Sequence, residues 1–399
     1  MRRASAGFTL VELLVALLLS LILAVAILKV QTKMASQSMR VADTGTRDTQ
    51  TRAAMDLITR DLTGAGFLFG NGRHNCDAIV TYNSTGTSYF AHHPVDSLVA
   101  VNNTTMTFAP TLKLNYPSGA AATAGTASDV LLMVNTTAST SFNSNAPIKT
   151  TTTSLANPLS TGIVPMNGSA GLVLKDAAIM QLPLSGANPC IRVPVDAFTL
   201  NTLTSLSGGT IMPTGSYAGF VSPLTSAGFA TLTNVSIFNS YVTDIGSAAT
   251  STQVVTAYYI DGSGPFPVLM RAQYSLADDS AISPPQPIAA GIVALRVSYG
   301  VDPGNTGSVT AYEEAATVTT SNHWGAIRSV RVALVTRTIN DDPNSDYTLS
   351  STVAPSTTSI PIPVSAPTAW FAAIKVPASK HRYTVNTTEV AYRDWLWNF

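Results

Sequence analysis

The sequence predicts an α+β protein in which one long N-terminal helix, half in lipid and half amphipathic, packs on an antiparallel β-sheet. A large β-rich insertion is expected in the body. Three observations predict this. Residues 8–28 carry a single charge in an otherwise apolar run. Apolar residues then recur at helical spacing as far as Phe69. Beyond about residue 70 that period is lost, and short apolar runs alternate with turn-forming residues.

The first element is long enough to cross a membrane. At about 1.5 Å per residue its 21 residues span roughly 30 Å, the depth of a bilayer core. Arg2 and Arg3 precede it, which keeps the N-terminus cytoplasmic and exports the rest. No small-x-small cleavage site follows Leu28, as a secretory signal would require; Lys29 and Lys33 follow instead. The first proline is Pro94, so nothing before it forces a break. Met34, Val41, Met55 and Leu62 keep a seven-residue spacing, joined by Ile58, while Arg47, Asp48, Arg52, Asp56, Arg60 and Asp61 take other positions. That is an amphipathic continuation, weakened at Gly45 and ended by "GAGF" at 64–67.

Glu12 is the exception in the apolar run. A carboxylate in hydrocarbon costs a few kcal/mol unless it is paired. One reading is a carboxyl that snorkels or takes a proton. The other is a partner created by processing. A cut between Gly7 and Phe8 gives Phe8 a new α-amine, four residues before Glu12. In a staggered array of such helices the amine of one chain can neutralise the carboxylate of the next.

The body reads as strands. "DVLLMV" (129–134), "GLVLKD" (171–176), "VVTAYYI" (254–260), "PVLMRAQYSL" (267–276), "IVALRVSYGV" (292–301) and "SVRVALVTR" (329–337) are apolar runs of strand length. Leu295, Val297 and Tyr299, and Val330, Val332 and Leu334, alternate with period two. "DGSGP" (261–265), "DPGNTG" (302–307) and "NDDPNSD" (340–346) are turns. Residues 97–160 are rich in Thr, Ser, Asn and Ala, and up to Lys149 their charged residues are Lys113 and Asp129. This is an inserted elaboration or, alternatively, an adhesive surface.

Composition narrows the function. The chain is 45% hydrophobic and 11% charged, which suits a packed core rather than disorder. Its 22 basic and 22 acidic residues cancel, so no basic surface indicates nucleic acid. No GxSxG, HExxH or P-loop is present, so no catalytic residue, metal ligand or cofactor is assigned. His92 and His93 before Pro94 read as a loop pair. "DPNSD" at 342–346 opens like a calcium loop but has Tyr347 where Gly is needed, and reads as a polar turn. Cys76 and Cys190 are the two cysteines; outside the cytoplasm a disulfide between them is the natural reading, and two unrelated thiols the alternative.

"GFTLVELLVAL" at 7–17 resembles the class III signal of type IV pilins and pseudopilins. "MDLITRDLTGAGF" (55–67) before Cys76 is similar to the PilW family of minor type IV pilins. So are "LRVSYGVD" (295–302) with Tyr312, "HWGAIRSVRVALVTR" (323–337) and "HRYTVNTTEVAYRDW" (381–395). The resemblance implies a type IV pilin-like fold with a leader at 1–7 and a transmembrane half-helix at 8–31. An amphipathic half at 32–69 and an exported body at 70–399 follow, with about 97–250 as insertion or second lobe. It implies cleavage between Gly7 and Phe8 by prepilin peptidase, N-methylation of Phe8, and Glu12 as the assembly charge. The implied partners are other minor pilins, the major pilin, the inner membrane and a tip adhesin. The implied location is the inner membrane with a periplasmic body, then the pilus fibre or tip. A minor pseudopilin of a type II secretion system and a membrane-tethered adhesive protein are the rival readings.

Overall fold

The computed structural model describes residues 9–66, residues 93–94 and the strands named below as far as 247, most of 252–340, the strands at 358–360 and 374–376, and 383–392. Gly7, Phe8, Cys76, His92, "KTTTTS" and the "DPNSD" turn lie outside the described residues, as do residues 171–175 of "GLVLKD".

Helix α1 runs unbroken over Leu10–Gly64, through Gly45. Its start is capped by Thr9. At its end the N–H of Ala65 returns to the Leu62 carbonyl at 3.1 Å, and Gly66 takes a φ of +75°. The large apolar side chains from Leu10 to Val30 are all exposed on the protein. Met34 and Val41, expected on the seam, are exposed too, at 64% and 74%. Burial begins at Arg47 and continues through Thr51, Ala54, Met55, Ile58 and Leu62. The seam is thus real only where the helix meets the body.

The strands follow in order. The first group is β1 (Gly70–Asn71), β2 (His74–Asn75), β3 (Ala78–Asn83), β4 (Gly86–Ala91), β5 (Val95–Ala100), β6 (Thr105–Thr107) and β7 (Lys113–Asn115). Next come β8 (Ser128–Thr136), β9 (Asn145–Pro147), β10 (Val164–Met166), β11 (Asp176–Gln181), β12 (Pro189–Leu200), β13 (Gly209–Pro213) and β14 (Tyr241–Ser247). The last third holds β15 (Gln253–Asp261), β16 (Val268–Ser275), β17 (Ala281–Ala290), β18 (Ile292–Val301) and β19 (Ala311–Glu313). Helix α2 (Ala315–Ser321) and a 3₁₀ turn (Trp324–Ala326) lead into β20 (Ile327–Arg337), then β21 (Thr358–Ile360), β22 (Ile374–Val376) and β23 (Tyr383–Ala391).

Three larger sheets organise most of the described strands, while β1 and β2, β6 and β7, and β21 and β22 form two-stranded ribbons. One has the order β19-β18-β20-β23, a second β17-β16-β15-β8-β5, and the third joins β3, β4 and β9 to β14. Two cores separate them. The first holds Met55, Ile58 and Leu62 of α1 with Val297, Tyr299, Val330, Val332, Leu334 and, from the second sheet, Leu131, Met133 and Tyr258. The second holds the alternate residues of that same sheet, Val130, Leu132, Val134, Val255, Ala257 and Tyr259, against Ile79, Ile179, Cys190 and Ile245 of the third. The five-stranded sheet is therefore covered on both faces, which explains why "DVLLMV" and "VVTAYYI" are apolar throughout rather than alternating. Strand β8 lies within residues 97–250 yet pairs with β15 along residues 131–136.

Strand β17 had no expectation from the sequence. It carries Pro284, Pro285 and Pro287, which lack the N–H that an interior strand must donate. It tolerates them because it is an edge, paired only with β16 in its sheet.

Candidate functional site

The N-terminal end of α1 holds Glu12, the first candidate residue. Glu12 sits in the first turn and is exposed. Its Oε2 accepts the Thr9 N–H at 3.0 Å and the Thr9 hydroxyl at 3.0 Å, while the Glu12 N–H donates to Thr9 Oγ1 at 3.4 Å. This reciprocal cap satisfies N–H groups that the start of a helix otherwise leaves open. It also holds the carboxylate in one place, with both Thr9 bonds on a single oxygen. The role of Thr9 went unread in the sequence, although T-x-x-E at 9–12 is the pattern that signals such a cap. Glu12 stands next to the uncovered apolar side chains Leu10, Val11, Leu13 and Leu14. Helix α1 is long and apolar enough to cross a membrane by length and composition.

The other end of α1 is built into the body at a junction. The Gly66 N–H donates to the Val134 carbonyl at 2.9 Å, and the Val134 N–H donates to Pro94 at 2.8 Å. A side chain on Gly66 would collide with the Tyr392 hydroxyl and press on Pro94. The His93 ring lies 4.6 Å from Tyr392 and 6.1 Å from Trp324, and Trp324 packs edge-on against Tyr299 at 5.3 Å. His93 lies in the bend before β5, as expected of a loop residue, but is fully buried there, with Nδ1 3.1 Å from both the N and the O of Val95. Burial pushes its imidazole down to about 3. Thus "GAGF", "HWGA" and "EVAYRDW", far apart in sequence, supply the parts of one joint.

A polar network joins the same stretches on the four-stranded sheet. Arg331 lies opposite Glu389 in the β20–β23 register. Glu389 accepts from Arg331 Nε at 2.8 Å, from the Ser329 hydroxyl at 2.6 Å and from the Tyr312 hydroxyl at 2.9 Å. The Arg331 guanidinium stacks 3.1 Å over the Tyr312 ring. Burial alone would push the Glu389 carboxyl up; the three hydrogen bonds outweigh it and hold the group below the usual carboxylate range. In the "DPGNTG" turn Asp302 accepts the N–H groups of Thr306 and Gly307 at 2.8 and 2.9 Å, which lowers its pKa.

Cys190 is buried in the second core, and no free cysteine is found among the described residues. Strands β3 and β12 run parallel with Cys190 opposite Ile79, three residues along the chain from Cys76. No cluster of metal-binding side chains occurs among the described residues.

A single uncovered apolar helix with an acid in its first turn, continuous with a half that is built into antiparallel sheets, fits a pilin-like architecture. The family model described as Type IV Pilus-assembly protein W matches residues 257–394, and that described as Prokaryotic N-terminal methylation motif matches residues 2–28. The two matches support a type IV pilus-related minor pilin that resembles the PilW family and carries a class III signal. That family is structural rather than enzymatic, and the methylation motif implies processing by prepilin peptidase, membrane anchoring and an exported body. No curated protein and no solved structure matches the chain.

Proposed function

We propose that this chain is a structural subunit that helps to initiate or cap type IV pilus assembly, after prepilin peptidase cuts between Gly7 and Phe8 and the Phe8 amine is methylated. The observation that carries the reading is the capped carboxylate of Glu12, held by Thr9 on a helix that is otherwise apolar and uncovered as far as Val30.

Cleavage creates a cation one residue before Thr9. Methylation of that amine keeps its charge. In the membrane, attraction between the amine of one subunit and Glu12 of the next is strengthened by the low dielectric. A carboxylate already held in place gives up little freedom on pairing. The exposed apolar side chains of α1 then exchange lipid for neighbouring helices. Other minor pilins and the major pilin are the partners this mechanism needs, and the pilus tip is the position that fits a low-abundance subunit. A Cys76–Cys190 disulfide would tie the end of α1 to the second core.

The test is co-purification of full-length wild type and Glu12→Ala with the other minor pilins, with protease resistance of the body as a control. The variant is expected to keep a resistant body and stay in the membrane while losing its partners. Normal co-purification of the variant would overturn the assembly role.

A further inference from the structure

We propose that Asp61, with Tyr258 and Arg271, is a lock that fixes the orientation of α1 on the body and thereby positions Glu12. The inference rests on the assembly reading above, because it concerns where that carboxylate is presented.

The apolar stripe of α1, Ala54, Met55, Ile58 and Leu62, gives the helix its hold on the body. Hydrophobic burial is non-directional, and a stripe repeating every three or four residues accepts small rotations and tilts at little cost. Gly66 tethers one end of the helix, and burial from Arg47 to Leu62 limits how far it can swing. A directional contact away from the tether is needed to fix the angle. Asp61 supplies it. Its Oδ2 accepts the Tyr258 hydroxyl at 2.7 Å and Arg271 Nε at 2.9 Å, and that same Arg271 Nε stands 3.1 Å from the Tyr258 oxygen. The side chains of Asp61 and Arg271 are only 13% and 18% exposed, so the charge pair is shielded from solvent. The nearby charged residues Arg52, Asp56 and Arg60 point outward. Tyr258 and Arg271 face each other in the β15–β16 register, so the lock stands on paired strands rather than on a loop. Rotating or lifting α1 would leave Arg271 partly buried without its acid, which a shielded charge strongly disfavours.

The consequence reaches the far end because α1 is one uninterrupted helix. Asp61 and Glu12 are 49 residues apart, about 74 Å along the axis. A tilt of about 5° at the body moves Glu12 by about 6 Å, well beyond the reach of a hydrogen bond. Asp61 is therefore a positioning residue for the assembly charge.

The test uses the full-length protein in detergent micelles, with spin labels carried by unnatural amino acids at exposed Met34 on α1 and exposed Gln286 on β17, so that both cysteines stay untouched. Wild type and Asp61→Glu are expected to give one narrow distance. Asp61→Ala is expected to broaden it by about 3 Å or more, because Met34 lies only about 40 Å along the axis from Asp61, with the near-UV circular dichroism of the body retained, and to be lost from the pilus fraction. Should the Ala variant lose that near-UV signature, Asp61→Leu, which keeps the size but offers no acceptor, carries the same comparison. An unchanged distance distribution would overturn the lock. A broadened distribution with normal incorporation would overturn its link to assembly. Glu12→Ala is measured beside it: if that variant also incorporates normally, the assembly reading has failed, and the distance measurement still judges the lock.

Discussion

The hydroxyl of Tyr392 occupies the space where a side chain on Gly66 would go. A residue just beyond the end of the long helix and the residue that follows β23 are thereby fitted to each other across 326 positions of sequence. Gly66 also needs its φ of +75°, which a residue with a Cβ adopts only at a cost. Gly66→Ala is expected to destabilise the body by about 2 kcal/mol or more, since the backbone cost alone is about 1–2 kcal/mol. Tyr392→Phe removes the colliding atom and should restore part of the loss. Chemical denaturation of the two single variants and the double variant measures this. Strict additivity would show that the collision contributes nothing.

His93 should make the protein acid-sensitive. Its folded pKa of about 3 lies below the ordinary histidine value near 6.5, because burial opposes the charged ring. The folded state then binds fewer protons than the unfolded one. The contribution is fully present above the unfolded value and is lost as pH falls from there toward about 3, at up to about 1.4 kcal/mol per pH unit. Thermal melts of wild type and His93→Phe from pH 7 to pH 4 should diverge, with wild type losing more. Parallel curves would show that His93 is not buried neutral.

Asp129 is expected to act with the opposite sign. It lies between the sheets, with Oδ1 3.1 Å from Arg296 and Oδ2 accepting the Val297 N–H at 2.8 Å. Burial pushes its carboxyl up to about 6, with Arg296 and the Val297 N–H opposing the rise. A folded pKa above the unfolded one favours folding most below the unfolded value, and the benefit is lost as pH rises through about 6. The carboxyl carbon chemical shift of Asp129 in labelled protein should titrate near pH 6 rather than pH 4. Titration in the ordinary range would show that burial does not raise the Asp129 carboxyl.

Maturation and the proposed bridge can be read in one mass spectrum. The filament-derived chain should begin at methylated Phe8, and thiol labelling under denaturing, non-reducing conditions should leave Cys76 and Cys190 unmodified. A chain beginning at Met1 would contradict processing. Two labelled thiols would remove the bridge, which chain entropy values at roughly 4–5 kcal/mol for a loop of this size.

Removing the Arg331–Glu389 contact should loosen the last strand more than it lowers overall stability. Glu389→Ala leaves Arg331, whose side chain is 7% exposed, without that carboxylate, and takes one acceptor from the hydroxyls of Ser329 and Tyr312. Hydrogen exchange should accelerate first across Tyr383–Ala391. Uniform acceleration of the whole body would contradict a local role.

The helix, its apolar half, the acid at Glu12 and the alternation of Leu295, Val297 and Tyr299 were legible because each is a local pattern. Period 3.6, period 2 and run length need only neighbours in sequence. The strands "DVLLMV" and "SVRVALVTR" were legible for the same reason. Other features depend on residues brought together only by folding. The prolines of β17 argue against a strand until the sheet places it at an edge. Met34 and Val41 share the spacing of Met55 and Leu62, yet the body is there to cover only the latter pair. His93 looks like a polar loop residue until Trp324 and Tyr392 arrive from more than 200 positions away. Asp61 is one charge among several on α1, and only the pairing of β15 with β16 brings Tyr258 and Arg271 to meet it. Period and composition record what a segment prefers; which of its polar groups find partners is settled by non-local packing, and here that packing made one carboxylate a surface charge and another a lock.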